Sequence, residues 1–314
     1  MKKISIIVPC YNETDGILLF FEKMQALLQT LPTYQFEMIF VDDGSMDNTS
    51  GLLNSLCQLH DWIKVVSLTR NFGKEAAMTA GLDLATGDAL VFMDADLQHP
   101  PDTIPDFISH WEQGALVVVG KRTSRNADSK LYKLLAQSFY RFHDKISHIT
   151  LPVNVGDFRL IDQKVAGQLK QLKESQRFMK GLFAWVGYEP VYVDYTVAAR
   201  LHGSSSFNKW RSWNFALEGI TSFSTVPLRI WTYVGAFVLL IGLIYAFLII
   251  IDVFVHGVVT PGYVTLLVAV VVFGGIQLMG IGILGEYIGR IYMEVKGRPT
   301  YLIDKITTQA NQND

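Results

Sequence analysis

Charge is what this sequence has little of. Asp, Glu, Lys and Arg make up 18% of its 314 residues, while 50% are apolar; a soluble enzyme carries nearer to a quarter charged. The deficit is local: Ile230 to Ile251 contains none of the four charged types, and neither does Val253 to Gly285. A basic excess is missing too. The formal net charge of −2 excludes a general nucleic-acid binder, which needs a basic surface to neutralise phosphates. Cysteine is scarce. Cys10 and Cys57 have no metal-ligand spacing, and free thiols in a reducing compartment are expected. No secretory leader is expected either, because the apolar run Ile4 to Val8 after Met1-Lys2-Lys3 is too short and stops at Pro9.

What is present begins as an alternation of short apolar runs and helical patterns. Ile4 to Val8, Glu37 to Val41, Lys64 to Leu68, Ala89 to Met93 and Ala115 to Gly120 read as strands. Between them Thr14 to Leu31, Thr49 to Leu59 and Lys74 to Ala85 read as helices, the first with Ile17, Leu18, Phe21, Met24 and Leu28 on one side. Such alternation, with near-continuous apolar strands, implies an α/β fold with a mostly parallel sheet covered on both faces. Ligands of such sheets collect at the carboxyl ends of the strands, where the polar clusters of this sequence fall.

The second half is organised differently. Ser129 to Ile149 reads as a helix decorated by Lys130, Lys133, Arg141 and Lys145, and Phe207 to Ile220 carries Phe207, Trp210, Trp213, Leu217 and Ile220 at helical spacing. A soluble core stripe is one reading of the latter; an interfacial helix in the headgroup layer is the other, favoured by its Trp and basic residues just before a span. Ile230 to Ile251 and Val264 to Leu284 then predict two transmembrane helices, the first roughly 33 Å long. Gly274, Gly275, Gly280 and Gly282 permit close helix association, so a homo-oligomer is compatible with the sequence. Arg229 precedes the first span, and Arg290, Lys296, Arg298 and Lys305 follow the second, whereas the loop Asp252 to Gly262 has no Lys or Arg. The expected layout is a cytoplasmic catalytic domain over 1–206, an interfacial helix over 207–227, two spans with a short external loop over 228–285 and a cytoplasmic tail over 286–314, in the inner (plasma) membrane.

The chemistry centres on Asp94-Ala-Asp96 at the end of a predicted strand, with Gln98 after it. Carboxylates at i and i+2 share a side of an extended chain, and a hard divalent cation takes such oxygens together with substrate phosphates. Asp42 and Asp43 end another strand and can read a base or ribose, while Asp47 and Thr49 suit a turn and a helix cap. Pro9, Tyr11 and Glu13 follow the first strand in the same way, Tyr11 suited to stack on a base and Glu13 to accept hydrogen bonds. Arg70-Asn-Phe-Gly-Lys74 opens a helix whose N-terminus can face phosphate; a plain helix start explains it as well.

Ile6-Ile-Val-Pro-Cys-Tyr-Asn-Glu13, Val41-Asp-Asp-Gly-Ser45, Arg70-Asn-Phe-Gly-Lys74 and Asp94-Ala-Asp-Leu-Gln-His-Pro-Pro101 resemble the family 2 glycosyltransferases of the GT-A fold. The closer resemblance is to their polyprenyl-phosphate branch. It extends to Gly156-Asp-Phe-Arg159, Arg200-Leu-His-Gly-Ser-Ser-Ser-Phe207 and the paired C-terminal spans. The resemblance implies transfer of one sugar, glucose from UDP-glucose first among the donors, to a polyprenyl phosphate, with Mg2+ or Mn2+ as cofactor. It implies Asp94, Asp96 and Gln98 as metal ligands, and Pro9, Tyr11, Glu13, Asp42, Asp43 and Asp94 as the nucleotide pocket. Arg122, Lys133, Arg200 and Ser205 are implied for the lipid phosphate; Ser206 stands where many relatives have Lys, and Lys133 or Lys209 can compensate.

Asp157 joins Asp94 and Asp96 as a candidate catalytic residue. A lipid phosphate is already mostly anionic near neutrality, with a second pKa of about 6, so Asp157 need not be a base; it can position the sugar, the metal or Arg159. A loop acid paired with Arg159 is the purely structural alternative. GDP-mannose, UDP-galactose and UDP-aminoarabinose-type donors remain alternatives to UDP-glucose. A processive polysaccharide synthase is disfavoured, since Gln176-Arg177-Phe-Met does not match Gln-x-x-Arg-Trp. A non-catalytic lipid-binding scaffold of the same fold is disfavoured by the intact Asp94, Asp96 and Gln98 set, and a flippase by the few spans.

Overall fold

The computed structural model describes residues 1–123, 155–174, 177–196, 226–256 and 262–309. These fall into two compact units, one holding the described residues up to 196 together with 298–309, the other the helical stretch to Gly297. In the first unit the chain runs β1 (Lys2–Cys10), α1 (Ile17–Gln29), β2 (Tyr34–Asp42), α2 (Thr49–Leu59), β3 (Ile63–Leu68), α3 (Lys74–Leu84), β4 (Ala89–Phe92), α4 (Ile104–Glu112) and β5 (Val117–Arg122). It continues with β6 (Val155–Asp162), α5 (Gln163–Gln171), α6 (Met179–Trp185) and β7 (Val191–Tyr195). In the second unit lie α7 (Val226–His256) and α8 (Tyr263–Lys296), after which β8 (Ile303–Thr307) returns to the first.

The sheet has eight strands in the order β7-β5-β6-β4-β1-β2-β3-β8. Strands β3, β2, β1 and β4 are mutually parallel, as the alternation of elements requires. β6 runs antiparallel between β4 and β5, β7 is parallel to β5, and β8 is antiparallel to β3. Ile4 to Val8 of β1 are buried without interruption because helices cover both faces. Ile6, Val8, Phe40 and Val91 share one core with Ile17, Phe20, Met24 and Phe107 of α1 and α4. Each large apolar side chain so buried contributes about 1.5–3 kcal/mol. The inner face of α1 differs from expectation at one position: Leu18 is exposed, and Phe20 takes the core place. On the opposite face α3 is buried almost all round through Ala76, Ala77, Ala80 and Gly81, and a Cβ at Gly81 would overlap the Ile7 side chain. Small residues bring this helix close to the sheet and so fix where its first residue, Lys74, begins.

The expected strands and helices of residues 1–125 are all found. Three strands were not expected. Val155–Asp162 and Val191–Tyr195 complete the sheet beyond β4, and Ile303–Thr307 lies in the segment expected as a tail. There Thr69 N–H donates to Leu302 O (3.0 Å), Tyr301 Oη to Asp83 (2.8 Å) and Cys57 Sγ to Thr307 O (3.3 Å). Both expected spans lie inside helices, Ile230 to Ile251 in α7 and Val264 to Leu284 in α8. Among the described residues, Val272–Lys296 is the stretch long and apolar enough to cross a membrane, with mean hydropathy 1.3. The expected helices Ser129 to Ile149 and Phe207 to Ile220 lie outside the described residues.

At the amino ends of the strands, Glu37 ties three segments together. It accepts hydrogen bonds from Ser5 Oγ (2.5 Å) and Thr86 N–H (2.7 Å), and its other oxygen pairs with Lys3 Nζ (2.8 Å). Burial opposes its ionisation, but Lys3, Ser5 and Thr86 outweigh that and bring its pKa down to about 2. A depressed carboxylate pKa stabilises the fold above the ordinary value of 4.5, and the contribution is lost as pH falls towards the folded value. Glu37→Gln is therefore expected to cost about 2 kcal/mol at pH 7. Thermal unfolding should show a lowered midpoint, with the gap to wild type closing as pH drops below the ordinary carboxylate range.

Candidate active site

The strand order reverses between β1 and β4, and the crevice at such a switch point is where an open α/β sheet binds ligands. The loop after β4 carries Asp94, Asp96 and Gln98, which are partly exposed, while Ala95, Leu97 and His99 between and after them are buried. The alternation in burial is as expected, but the segment is not extended: it turns over Ala95 and Asp96 and bends at Leu97, whose φ is 58°. Asp96 Oδ1 accepts Gln98 N–H at 3.1 Å. His99 holds the start of the loop: its Nδ1 accepts Asp94 N–H at 3.2 Å, and its ring stacks on Phe158 at 4.9 Å. An accepting Nδ1 belongs to a neutral imidazole, and burial pushes the His99 pKa down. Its 3.9 Å approach to Asp94 Oδ2 is therefore not an ion pair.

The antiparallel pairing of β4 with β6 ends at Phe92 and Arg159; Asp94 lies two residues beyond the first and Asp157 two before the second, near enough for one ammonium to reach both. Like charges facing each other across strands repel, and here a cation separates them. Lys74 Nζ lies 2.5 Å from Asp94 Oδ1 and 2.8 Å from Asp157 Oδ2. Burial opposes ionisation of Asp157, yet Lys74, helped by Lys180 and Arg159, holds it well below the usual carboxylate range. Asp157 is a strand residue paired with Lys74, not a loop acid paired with Arg159. Its Oδ1 is buried and has no hydrogen-bond partner among the described residues. Arg159 instead donates from Nη2 to Gly156 O (2.7 Å) and lies 3.9 Å over the Phe183 ring, and burial lowers its pKa to about 10. Beside them, burial and the Asp157 charge raise Glu75 to about 7, although it accepts Met179 N–H at 2.9 Å.

The remaining loops are clamped to one another. Asp43 receives Phe72 N–H at 2.7 Å on one oxygen and Gly73 N–H at 2.8 Å on the other. Gly44, at φ +68°, lies so close to the backbone of Arg70 and Asn71 that a Cβ would come within 2.6 Å of Asn71 N. Asp42 accepts Ser45 N–H (3.0 Å), Asn12 Oδ1 accepts Met46 N–H (2.9 Å) and Thr49 Oγ1 accepts Glu13 N–H (2.8 Å). Pro9 is the next-to-last residue of β1, and Tyr11 stands exposed just after the strand. Asp43 thus spends its oxygens on the Arg70–Lys74 loop and aims Lys74.

Arg122 ends β5. Its Nε donates to Tyr195 Oη at 3.2 Å, and its Nη2 reaches to 3.8 Å from where a Gly156 Cβ would be, next to Asp157. Lys133, Arg200, Ser205 and Lys209 lie outside the described residues. Sequence reasoning missed the roles of His99, Glu75 and Lys74; Lys74 and His99 were visible in motifs, Glu75 in none. The donors of the Asp94 loop, two carboxylates and an amide, are oxygen ligands suited to a hard divalent cation. Among the described residues no three His, Cys, Asp or Glu gather into a cage, which leaves the rest of the coordination to substrate oxygens and water, as Mg2+ prefers.

The Asp43 clamp can be tested without ligands. Asp43→Asn leaves one amide N–H facing an NH2 group, and a hydrogen bond to a charged group is worth about 1.5–3 kcal/mol. Hydrogen exchange at Phe72 to Lys74 should accelerate by roughly tenfold or more, with far smaller changes in β1 and β2.

Comparison with known proteins agrees with this geometry. Residues 5–169 match glycosyl transferase family 2, and residues 226–291 match the GtrB C-terminal hairpin. The SfII prophage-derived bactoprenol glucosyl transferase of Shigella flexneri is 48% identical over 303 residues, covering 96% of this chain and 98% of that protein. The prophage bactoprenol glucosyl transferase homolog of Escherichia coli (strain K12) is 46% identical, covering 97% and 99%. The putative glycosyltransferase CsbB of Bacillus subtilis (strain 168) is 40% identical, covering 96% and 91%. With its mostly parallel sheet, its acidic loop at the switch point and these relatives, the chain belongs to glycosyl transferase family 2, with the α/β GT-A fold.

Proposed function

We propose that the chain transfers one glucosyl group from UDP-glucose to undecaprenyl (polyprenyl) phosphate at the cytoplasmic face of the plasma membrane, making a lipid-linked glucose for modification of cell-envelope glycans. The observation that carries this reading is the likeness to proteins named bactoprenol glucosyl transferases along 96% of the chain, catalytic domain and hairpin together.

In this reaction a phosphate oxygen of the lipid attacks the anomeric carbon, the bond from that carbon to the β-phosphate oxygen breaks, and UDP leaves with the electron pair. The lipid phosphate is mostly dianionic near neutrality, with a second pKa of about 6, and needs no base. The low pKa of Asp157 makes it a poor proton acceptor; its Oδ1 is available to a sugar hydroxyl, which makes it a positioning group. Asp94, Asp96 and Gln98 would hold Mg2+ or Mn2+, which supplies positive charge beside the leaving diphosphate. Tyr11, Glu13, Pro9 and Asp42 face the nucleotide, with Asp43 supporting them through the Arg70–Lys74 loop. Arg122, with Lys133, Arg200 and Ser205, receives the lipid phosphate, arginine offering bidentate bonds to its oxygens.

The membrane reading, with spans in α7 and α8, is supported by the large apolar side chains left exposed along both helices, among them Phe237, Ile244, Phe254, Leu278 and Ile281. Topology adds to it. The chain leaves the sheet at Tyr195 and is paired in the same sheet again at Ile303, so the number of crossings between is even, consistent with two. Lys and Arg flank the hairpin on the side of the catalytic domain, which favours the cytoplasm for that domain.

Purified protein given UDP-[14C]glucose and a short polyprenyl phosphate should move label into the organic phase, and excess chelator should stop it. Asp96→Asn should cut turnover by roughly a hundredfold or more with little change in unfolding temperature; full activity of that variant would remove the metal from the proposal. For orientation, His256→Cys in intact cells should react with a membrane-impermeant thiol reagent and Asn311→Cys should not. The reverse pattern would place catalysis on the wrong side for nucleotide sugars.

A further inference from the structure

The Lys74 ammonium occupies one oxygen of the proposed cation site. Lys74 Nζ lies 2.5 Å from Asp94 Oδ1, too close for any atom to stand between them. A divalent cation bound to that oxygen sits roughly 2.0–2.6 Å from it, and so would press against a second positive charge. The backbone around Lys74 cannot yield, because Asp43 holds Phe72 and Gly73 by their amides and α3 is packed on the sheet by small residues. The side chain can: it keeps 41% of its surface exposed, against 12% for Asp157. Lysine is a compact charge on a four-carbon stem with freely rotating donors, and its second contact, Asp157 at 2.8 Å, keeps it beside the cleft when the first is broken.

We infer that Lys74 is an internal counter-ion that the divalent cation displaces from Asp94. The ammonium keeps the facing Asp94 and Asp157 charges compensated until a nucleotide diphosphate sugar arrives, whose phosphates give it another anion to pair with. Loading of metal is then tied to loading of donor by charge exchange as well as by direct coordination. The inference rests on the proposed cation site at Asp94, Asp96 and Gln98, and adds to it the group that guards it.

The experiment measures Mn2+ binding to the full chain in detergent, without nucleotide, by the electron paramagnetic resonance of free Mn2+. Lys74→Met should bind Mn2+ about tenfold more tightly than wild type, and Lys74→Arg, which keeps the charge, within about threefold of it. Because Lys74→Met could fold poorly, a second measurement uses wild type. Reductive methylation of Lys74, read by peptide mass spectrometry, should rise when Mn2+ is added without nucleotide. Unchanged or weaker Mn2+ binding by natively folded Lys74→Met, or unchanged methylation of Lys74 at saturating Mn2+, would overturn the inference. Asp96→Asn separates the two layers. If it loses Mn2+ binding while Lys74→Met gains none, only the role of Lys74 falls. If wild type and Asp96→Asn bind Mn2+ alike, the metal site itself is wrong and the inference falls with it.

Discussion

Two carboxylates forced side by side need a cation between them, and in this protein that need organises the mouth of the sheet. Asp94 follows β4 and Asp157 is the third residue of β6, close enough for one ammonium to touch both. The cation comes from the first residue of α3, far from both in sequence. For Lys74 to reach, α3 has to start at the right height over the sheet, which Gly81 against Ile7 allows. The loop before it has to be held, which Asp43 does through Phe72 and Gly73. Gly44 has to let the neighbouring turn approach Arg70 and Asn71. Residues that look like separate motifs along the chain are thus parts of one electrostatic arrangement.

Local patterns made the first half of the fold legible. Buried parallel strands are short apolar runs, and the helices between them show an apolar side, so β1 to β5 and α1 to α3 could be read directly. Asp94, Asp96 and Gln98 were also legible, because their spacing directly after an apolar strand marks them, although the segment itself turns. Leu18 was misjudged because it lies about 100° round the helix from Ile17, outside the arc of Ile17, Phe21, Met24 and Leu28, whereas Phe20, about 60° to the other side of Ile17, falls within it. β6 escaped because Gly156 and Asp157, its second and third residues, have low strand propensity. Only its pairing with β4 and β5 makes it a strand.

The meaning of Asp43 and Lys74 was hidden for a related reason. Each residue type suggested a partner outside the protein, a ribose for the acid and a phosphate for the helix start. The partners in the structure are backbone amides of another loop and two carboxylates, one on the loop after β4 and one on β6, and such contacts leave no mark in the spacing of a motif. His99 is similar: in Asp94-Ala-Asp-Leu-Gln-His-Pro-Pro101 it sits at the end of a motif whose acids draw the attention, yet its imidazole fixes the first of those acids through the Asp94 amide.

Strand β8 carries a consequence for how the protein is made. It pairs with β3, whose outer edge it covers, and Cys57 Sγ reaches Thr307 O across 250 positions of sequence. During synthesis β1 to β7 leave the ribosome first, then the two long apolar helices, and only then residues 303–307. Until that moment the edge of β3 is an open row of backbone donors and acceptors, the kind of surface on which chains aggregate. The catalytic sheet therefore cannot be completed before the hairpin has been made, and a chain whose hairpin has not let residues 303–307 return carries an exposed strand edge that chaperones and proteases can recognise.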